Sequence, residues 1–151
     1  MIDFPLLKKI SETPGAPGFE TQIRDLIKSE IAGLVDEMYI DTMGSLIGVV
    51  KGREPKKVMV AAHMDEISFM VTHIDDEGFI RFHPLGGFDP KTLSAQRVIV
   101  HGREDIMGVM GSKPVHLMTP EEKNKNPQLR DYFIDTGRSA AQVKELVDIG
   151  D

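Results

Sequence analysis

The sequence contains no cysteine. Disulfides and thiolate metal sites are therefore excluded, and any bound metal must use His, Asp or Glu. The same absence fits a cytoplasmic protein. No apolar run approaches the roughly 18–20 residues that span a bilayer, so no membrane partner is expected. The N-terminus, Met1-Ile-Asp-Phe-Pro5, lacks the basic region and apolar core of a signal peptide. Positive charge is in deficit: 18 Lys and Arg stand against 24 Asp and Glu, a net charge of -6. A nucleic-acid partner would want a basic face, so none is expected. There is no Gly-x-x-x-x-Gly-Lys-Ser/Thr phosphate loop, Gly44, Gly48 and Gly52 do not form a dinucleotide fingerprint, and no Gly-x-Ser-x-Gly elbow occurs. Nucleotide use and serine-nucleophile chemistry thus lack support.

What is present is a chain of 151 residues, 40% hydrophobic and 28% charged. That is enough for one packed domain, or for one domain and part of another. Its most informative stretch is Val58-Met-Val-Ala-Ala-His-Met-Asp-Glu66. An apolar run without polar alternation predicts a strand, Val58 to Ala62, buried on both faces of a parallel sheet. Open α/β sheets bind ligands just past the carboxyl ends of their strands. His63, Asp65 and Glu66 sit at that end. His63 and Asp65, two apart, share a face in an extended chain. A metal-bound imidazole usually donates its other N–H to a carboxylate, so His63 is a candidate metal ligand and Asp65 the residue that steadies it. The competing reading is a hydrogen-bonded histidine at a sheet edge. Glu66 points the other way and reads as a solvated or salt-bridged acid.

Around this stretch, periodicity predicts helices over Asp3 to Glu12 and Phe19 to Gly33, separated by the breaker Thr13-Pro-Gly-Ala-Pro-Gly18. Strands Glu37 to Asp41 and Leu46 to Lys51 flank a Met43-Gly44 turn. Beyond Glu66 the chain becomes β-rich. Ile67 to Ile74 and Phe79 to His83 form a hairpin around Asp75-Asp-Glu-Gly78, and Leu85-Gly-Gly-Phe-Asp-Pro90 is a loop. Arg97 to His101, Ile106 to Met110 and Tyr132 to Asp135 are further strands. Thr119 to Arg130 is expected to be an exposed, mobile loop, and Ser139 to Val147 a helix with Ser139 as its N-cap. Short strands with Gly-rich turns suggest a small barrel. A boundary therefore falls near Glu66 to Phe69.

His63-Met-Asp65 has a built-in decoy, His73-Ile-Asp75, with the same spacing at a hairpin turn where polar residues are simply solvated. His83, His101 and His116 have no partner at ligand spacing and read as surface or interface residues. Met43, Met59, Met64, Met70, Met107, Met110 and Met118 read as gap-filling core.

Several stretches resemble the M42 family of metallo-aminopeptidases, which includes glutamyl aminopeptidases and tetrahedral TET peptidases. They are Pro14-Gly-Ala-Pro-Gly-Phe-Glu20, Asp41-Thr-Met-Gly44, Ala61-Ala-His-Met-Asp-Glu-Ile67, Gly78-Phe-Ile-Arg-Phe82, Pro84-Leu-Gly-Gly-Phe-Asp-Pro90, Gln96-Arg-Val98, Gly108-Val-Met-Gly-Ser-Lys-Pro114 with His116-Leu117, and Phe133-Ile-Asp135 with Ile149-Gly-Asp151. Ser68 stands where the family commonly has Gly.

The resemblance implies an α/β fold: the first part of a zinc-peptidase catalytic domain at residues 1–67, then a small PDZ-like β-barrel dimerisation domain at 68–151. It implies a site of two divalent metal ions, Zn or Co, peptide substrates cut at their N-terminal residue, and a homo-oligomer built from dimers, up to a tetrahedral dodecamer. It makes His63 a metal ligand and Asp65 the catalytic-site carboxylate behind it. The family's bridging Asp, its Glu pair, a further Asp and the last His lie downstream of Ile149-Gly-Asp151. The chain is thus expected to be the N-terminal portion of such an enzyme, inactive alone. Two other readings stay open: a non-catalytic oligomerisation or interaction module, and a related metallohydrolase such as a deacylase or carboxypeptidase. The Gly-Gly-Phe-Asp-Pro and Gly-Ser-Lys-Pro stretches weigh against the latter.

Overall fold

The computed structural model describes residues 3–87 and 89–151. Phe88 of the Leu85–Pro90 loop lies outside the described residues, as do Met1 and Ile2. The chain mixes helices and sheets, as expected of an α/β protein, and separates into two compact units, residues 1–66 and 67–151.

The first unit opens with α1 (Phe4–Ser11), capped by Asp3, whose Oδ1 accepts the Leu6 N–H at 3.0 Å. Its apolar stripe buries nothing: Phe4, Leu7 and Ile10 are all exposed. The Pro/Gly segment ends it. In α2 (Thr21–Ile31), only Ile23 is buried. Strands β1 (Glu37–Ile40) and β2 (Leu46–Val49) pair antiparallel, Glu37 with Val49 through Ile40 with Leu46. The turn is set by Asp41, whose Oδ1 accepts N–H groups from Met43 at 2.9 Å and Ser45 at 2.8 Å. Gly44 supplies the left-handed step, with φ +88°.

The expected buried strand Val58 to Ala62 does not form. Residues 50–67 carry no strand or helix. Val58, Met59 and Val60 are 90%, 88% and 93% exposed. Burying an unalternated apolar strand takes a paired neighbour and a layer on each face. In this unit β1 and β2 pair only with each other. Both described sheets are antiparallel, against the parallel sheet expected.

The second unit is a five-stranded sheet in the order β3-β4-β7-β6-β5. Its strands are β3 (Ser68–Ile74), β4 (Ile80–Leu85), β5 (Arg97–His101), β6 (Asp105–Ser112) and β7 (Tyr132–Asp135). Among the described residues β3 and β5 do not pair, so the sheet is open at both edges rather than closed as a barrel. Period-two alternation is clean in β6: Ile106, Gly108 and Met110 face in, while Asp105, Met107 and Val109 face out. The core joins these to Val71, Ile74, Ile80, Phe82, Val100, Tyr132 and Ile134 from the other strands. Leu93 enters from the 3-10 turn Pro90–Leu93, while Val143 and Val147 enter from α4 (Ala140–Leu146) and its C-cap. Ser139 caps α4, its N–H donating to Gln142 Oε1 at 3.0 Å.

Two expectations need correction here. Thr119 to Arg130 is not irregular throughout: it holds the one-turn helix α3 (Pro120–Lys123) and a 3-10 turn, Leu129–Asp131. Thr119 and Glu122 form a capping box, the Thr119 N–H donating to Glu122 Oε2 at 2.7 Å and the Glu122 N–H to Thr119 Oγ1 at 3.2 Å. Lys113 Nζ clasps both Glu122 oxygens at 2.9 Å. The methionines are not a core set either. Met110 is 1% exposed, but Met43, Met59 and Met107 are exposed.

Candidate metal centre

Gly15 and Glu66 fix where the His63–Asp65 stretch lies within the first unit. The Glu66 N–H donates to Gly15 O at 2.9 Å. In return the Gly15 N–H donates to Glu66 Oε1 at 3.3 Å. Gly15 is buried, and a Cβ there would lie 2.8 Å from Ile23 Cγ2 and 3.3 Å from Met64 O. Glycine is needed because the backbone after His63 passes this close to the Pro14–Gly18 loop. Glu66 is exposed, as its sequence position suggested, but it does more than meet solvent. It is half of a two-bond strap.

Held by that strap, His63 turns its ring onto Asp65. Nδ1 lies 2.9 Å from Asp65 Oδ1 and 3.0 Å from Asp65 O. A carboxylate and a carbonyl both accept, so Nδ1 must carry the hydrogen. With the hydrogen on Nδ1, the neutral form of the ring presents the lone pair of Nε2. The His63 side chain is 84% exposed and that of Asp65 41%, so Nε2 opens to solvent. The arrangement is the one that suits a metal ligand: one nitrogen free to coordinate, the other oriented by a carboxylate.

The decoy behaves differently. Asp75 Oδ1 accepts the Glu77 N–H at 3.0 Å and the Phe79 N–H at 2.9 Å, and so serves the turn rather than His73. A second imidazole–carboxylate pair escaped sequence reasoning: His101 Nδ1 lies 2.7 Å from Asp105 Oδ1. The signal for it was the hairpin register, which sets His101 opposite Asp105. His83 and His116 are exposed.

One imidazole fits one ligand position. A catalytic zinc takes three protein ligands, and among the described residues no group of three or more His, Asp or Glu could hold a metal ion. His63 alone could fill one such position, and the described residues do not complete a site. No helix among the described residues is long and apolar enough to cross a membrane.

The chain is 41% identical over 149 residues to the lysyl aminopeptidase of Pyrococcus furiosus, covering 96% of this chain and 42% of that protein. It superposes on the TET aminopeptidase of a marine sediment Thaumarchaeota archaeon with a TM-score of 0.90 and 35% identity, over 97% of this chain and 42% of the other. It also matches the TET1 peptidase of Pyrococcus horikoshii, which assembles into a tetrahedron or a large octahedral shell, at a TM-score of 0.79 and 36% identity, over 96% and 44% of the two chains. The chain thus spans less than half the length of each of these relatives. The M42 glutamyl aminopeptidase model matches residues 44–151, which takes in the His63–Asp65 corner and the whole second unit. On that match, the chain belongs to the M42 glutamyl aminopeptidase family.

Proposed function

We infer that the chain is the N-terminal part of a metal-dependent aminopeptidase, which removes N-terminal residues from peptides. The observation that carries this reading is the 2.9 Å contact between His63 Nδ1 and Asp65 Oδ1, in a chain whose relatives are aminopeptidases. His63 would offer Nε2 to one of two divalent metal ions, zinc or cobalt. Asp65 would hold the ring and its tautomer, and stabilise positive charge on the imidazole. The remaining ligands and the general base would come from the longer protein. When bound, such metals supply Lewis-acid polarisation of the peptide carbonyl and a water that is nucleophilic near neutral pH. Residues 1–67 would form the first part of the catalytic domain. Residues 68–151 would be a PDZ-like domain that dimerises, within a cytoplasmic homo-oligomer that is a dimer or a dodecamer.

A second reading, a non-catalytic assembly module, draws on the placement of the core: among the described residues, all buried hydrophobics except Ile23 lie in the second unit. One experiment separates the two. Residues 1–151 replace the matching part of the Pyrococcus furiosus lysyl aminopeptidase, and the chimera is assayed on aminoacyl chromogenic substrates. The enzyme reading expects metal-dependent release that His63→Ala abolishes and His73→Ala leaves intact. A soluble, oligomeric chimera with no such activity supports the module.

A further inference from the structure

The two edges of the five-stranded sheet are treated differently. At β3 the register shifts between Val71 and His73. Val71 is also covered: its N–H donates to Asp151 O at 2.7 Å, and the Gly150 N–H donates to Val71 O at 2.9 Å. Bulges and covering segments are the ordinary means of blunting an edge. Just before β5, Ala95 (φ +59°) and Gln96 both face Met110, the Ala95 N–H donating to Met110 O at 3.0 Å; from Arg97 to His101 neither device is present. The Met110 N–H donates to Gln96 O at 2.8 Å, and the register runs without a shift from Arg97↔Val109 to His101↔Asp105. Antiparallel alternation then turns the N–H and C=O groups of Val98 and Val100 toward β6, and those of Arg97, Ile99 and His101 outward. Among the described residues, those outward groups have no backbone partner. The outer face beside them is apolar at its centre, with Ile99 55%, Met107 62% and Val109 43% exposed.

We propose that β5 is a self-pairing edge: β5 of one copy joins β5 of a second copy, antiparallel, about a two-fold axis through Ile99. This rests on the homo-oligomer reading above and adds the surface that makes it. The register follows from the charges. With Ile99 opposite Ile99, Arg97 of each copy faces His101 of the other, whose Nδ1 is held 2.7 Å from Asp105 Oδ1. Each end of the ladder then sets a guanidinium against an imidazole–carboxylate pair. Parallel pairing would set Arg97 against Arg97. The two-fold also brings Ile99, Met107 and Val109 of both copies into one apolar strip, the self-complementarity that an isologous interface requires.

The absence of cysteine makes the axis directly testable. Opposed Cα atoms in a hydrogen-bonded antiparallel pair lie about 5.5 Å apart, within the span of a disulfide. Under mild oxidation, Ile99→Cys in the full chain is expected to cross-link at least about ten-fold faster than Met107→Cys, which is equally exposed but one strand from the axis. Arg97→Glu should weaken the dimer, and adding Asp105→Arg should restore it. Light scattering on the unmodified chain reads the homo-oligomer separately. An oligomer in which both cysteine variants cross-link alike, or one indifferent to Arg97→Glu, overturns the β5 pairing and leaves the homo-oligomer reading standing. An unmodified chain that stays monomeric overturns both.

Discussion

Gly15 and Glu66 are fifty-one residues apart and joined by two hydrogen bonds, one to a backbone oxygen and one to a side-chain oxygen. The strap fixes the backbone that carries His63 and Asp65. Gly15→Ala would push a Cβ against Ile23 and Met64 O. It is expected to destabilise the first unit by on the order of 1–3 kcal/mol, as overpacking typically does, and to release the Glu66 N–H to fast hydrogen exchange. Glu66→Gln keeps the acceptor and should leave that protection in place, whereas Glu66→Ala should lose part of it. Unchanged exchange in Gly15→Ala would contradict the strap.

On the proposed reading, Asp65 works by holding the His63 ring, 2.9 Å away. In the chimera described above, Asp65→Ala is expected to weaken metal affinity by roughly 10–100-fold while leaving the fold unchanged, the usual cost of removing a carboxylate behind a ligating imidazole. Asp75→Ala, which alters the decoy, should leave metal affinity as it was. Equal effects of the two substitutions would remove Asp65 from the site.

The 151-residue chain alone is expected to show no peptidase turnover with added Zn²⁺ or Co²⁺. The reason is the lone imidazole: a catalytic site needs three protein ligands, and no such group exists among the described residues. Metal-dependent turnover by this chain, lost in His63→Ala, would show that the lone imidazole is not the limit.

The Asp75 turn predicts a pH dependence. Burial pushes its carboxyl up, but N–H groups of Phe79, Glu77 and Gly78 and the charge of Arg81 outweigh this and hold it below its ordinary value. A carboxyl lowered by folding stabilises the fold above its unfolded value, and that contribution is lost as pH falls through the folded one. Asp75→Ala should therefore cost about 1 kcal/mol near neutral pH, the worth of the hydrogen bonds it removes. The gap between wild type and variant should narrow as pH falls from the ordinary carboxylate range through the lowered folded value. Urea midpoints at two pH values check this, and a gap that widens on acidification would contradict it.

Much of the local structure was legible because local signals and tertiary packing agree. Strand β6 alternates in and out as its sequence alternates, and the Asp41 and Asp75 turns follow from side chains that reach their own backbone. Thr119-Pro-Glu-Glu122 also carries its signal, a capping box with proline in the first turn, although its polar composition suits an irregular loop equally well. Val58 to Ala62 shows the limit. An apolar run says what a segment would bury if neighbours were present, and burial depends on those neighbours. The methionines failed for the same reason: Met107 lies one residue from buried Ile106 and on the opposite face. His101 and Asp105 met through a hairpin register that spacing alone could not supply. At the candidate site, His63 and Asp65 were legible as a pair, but the strap from Glu66 to Gly15 was not, since nothing local links residues that far apart.

The proposed function stands or falls on His63 as a metal ligand. The most direct measurement is the metal content of the chimera by mass spectrometry, read beside its turnover, for wild type, His63→Ala and His73→Ala. His63→Ala alone is expected to lose bound metal, and turnover with it. Full metal content in His63→Ala, or equal loss in His73→Ala, would contradict it.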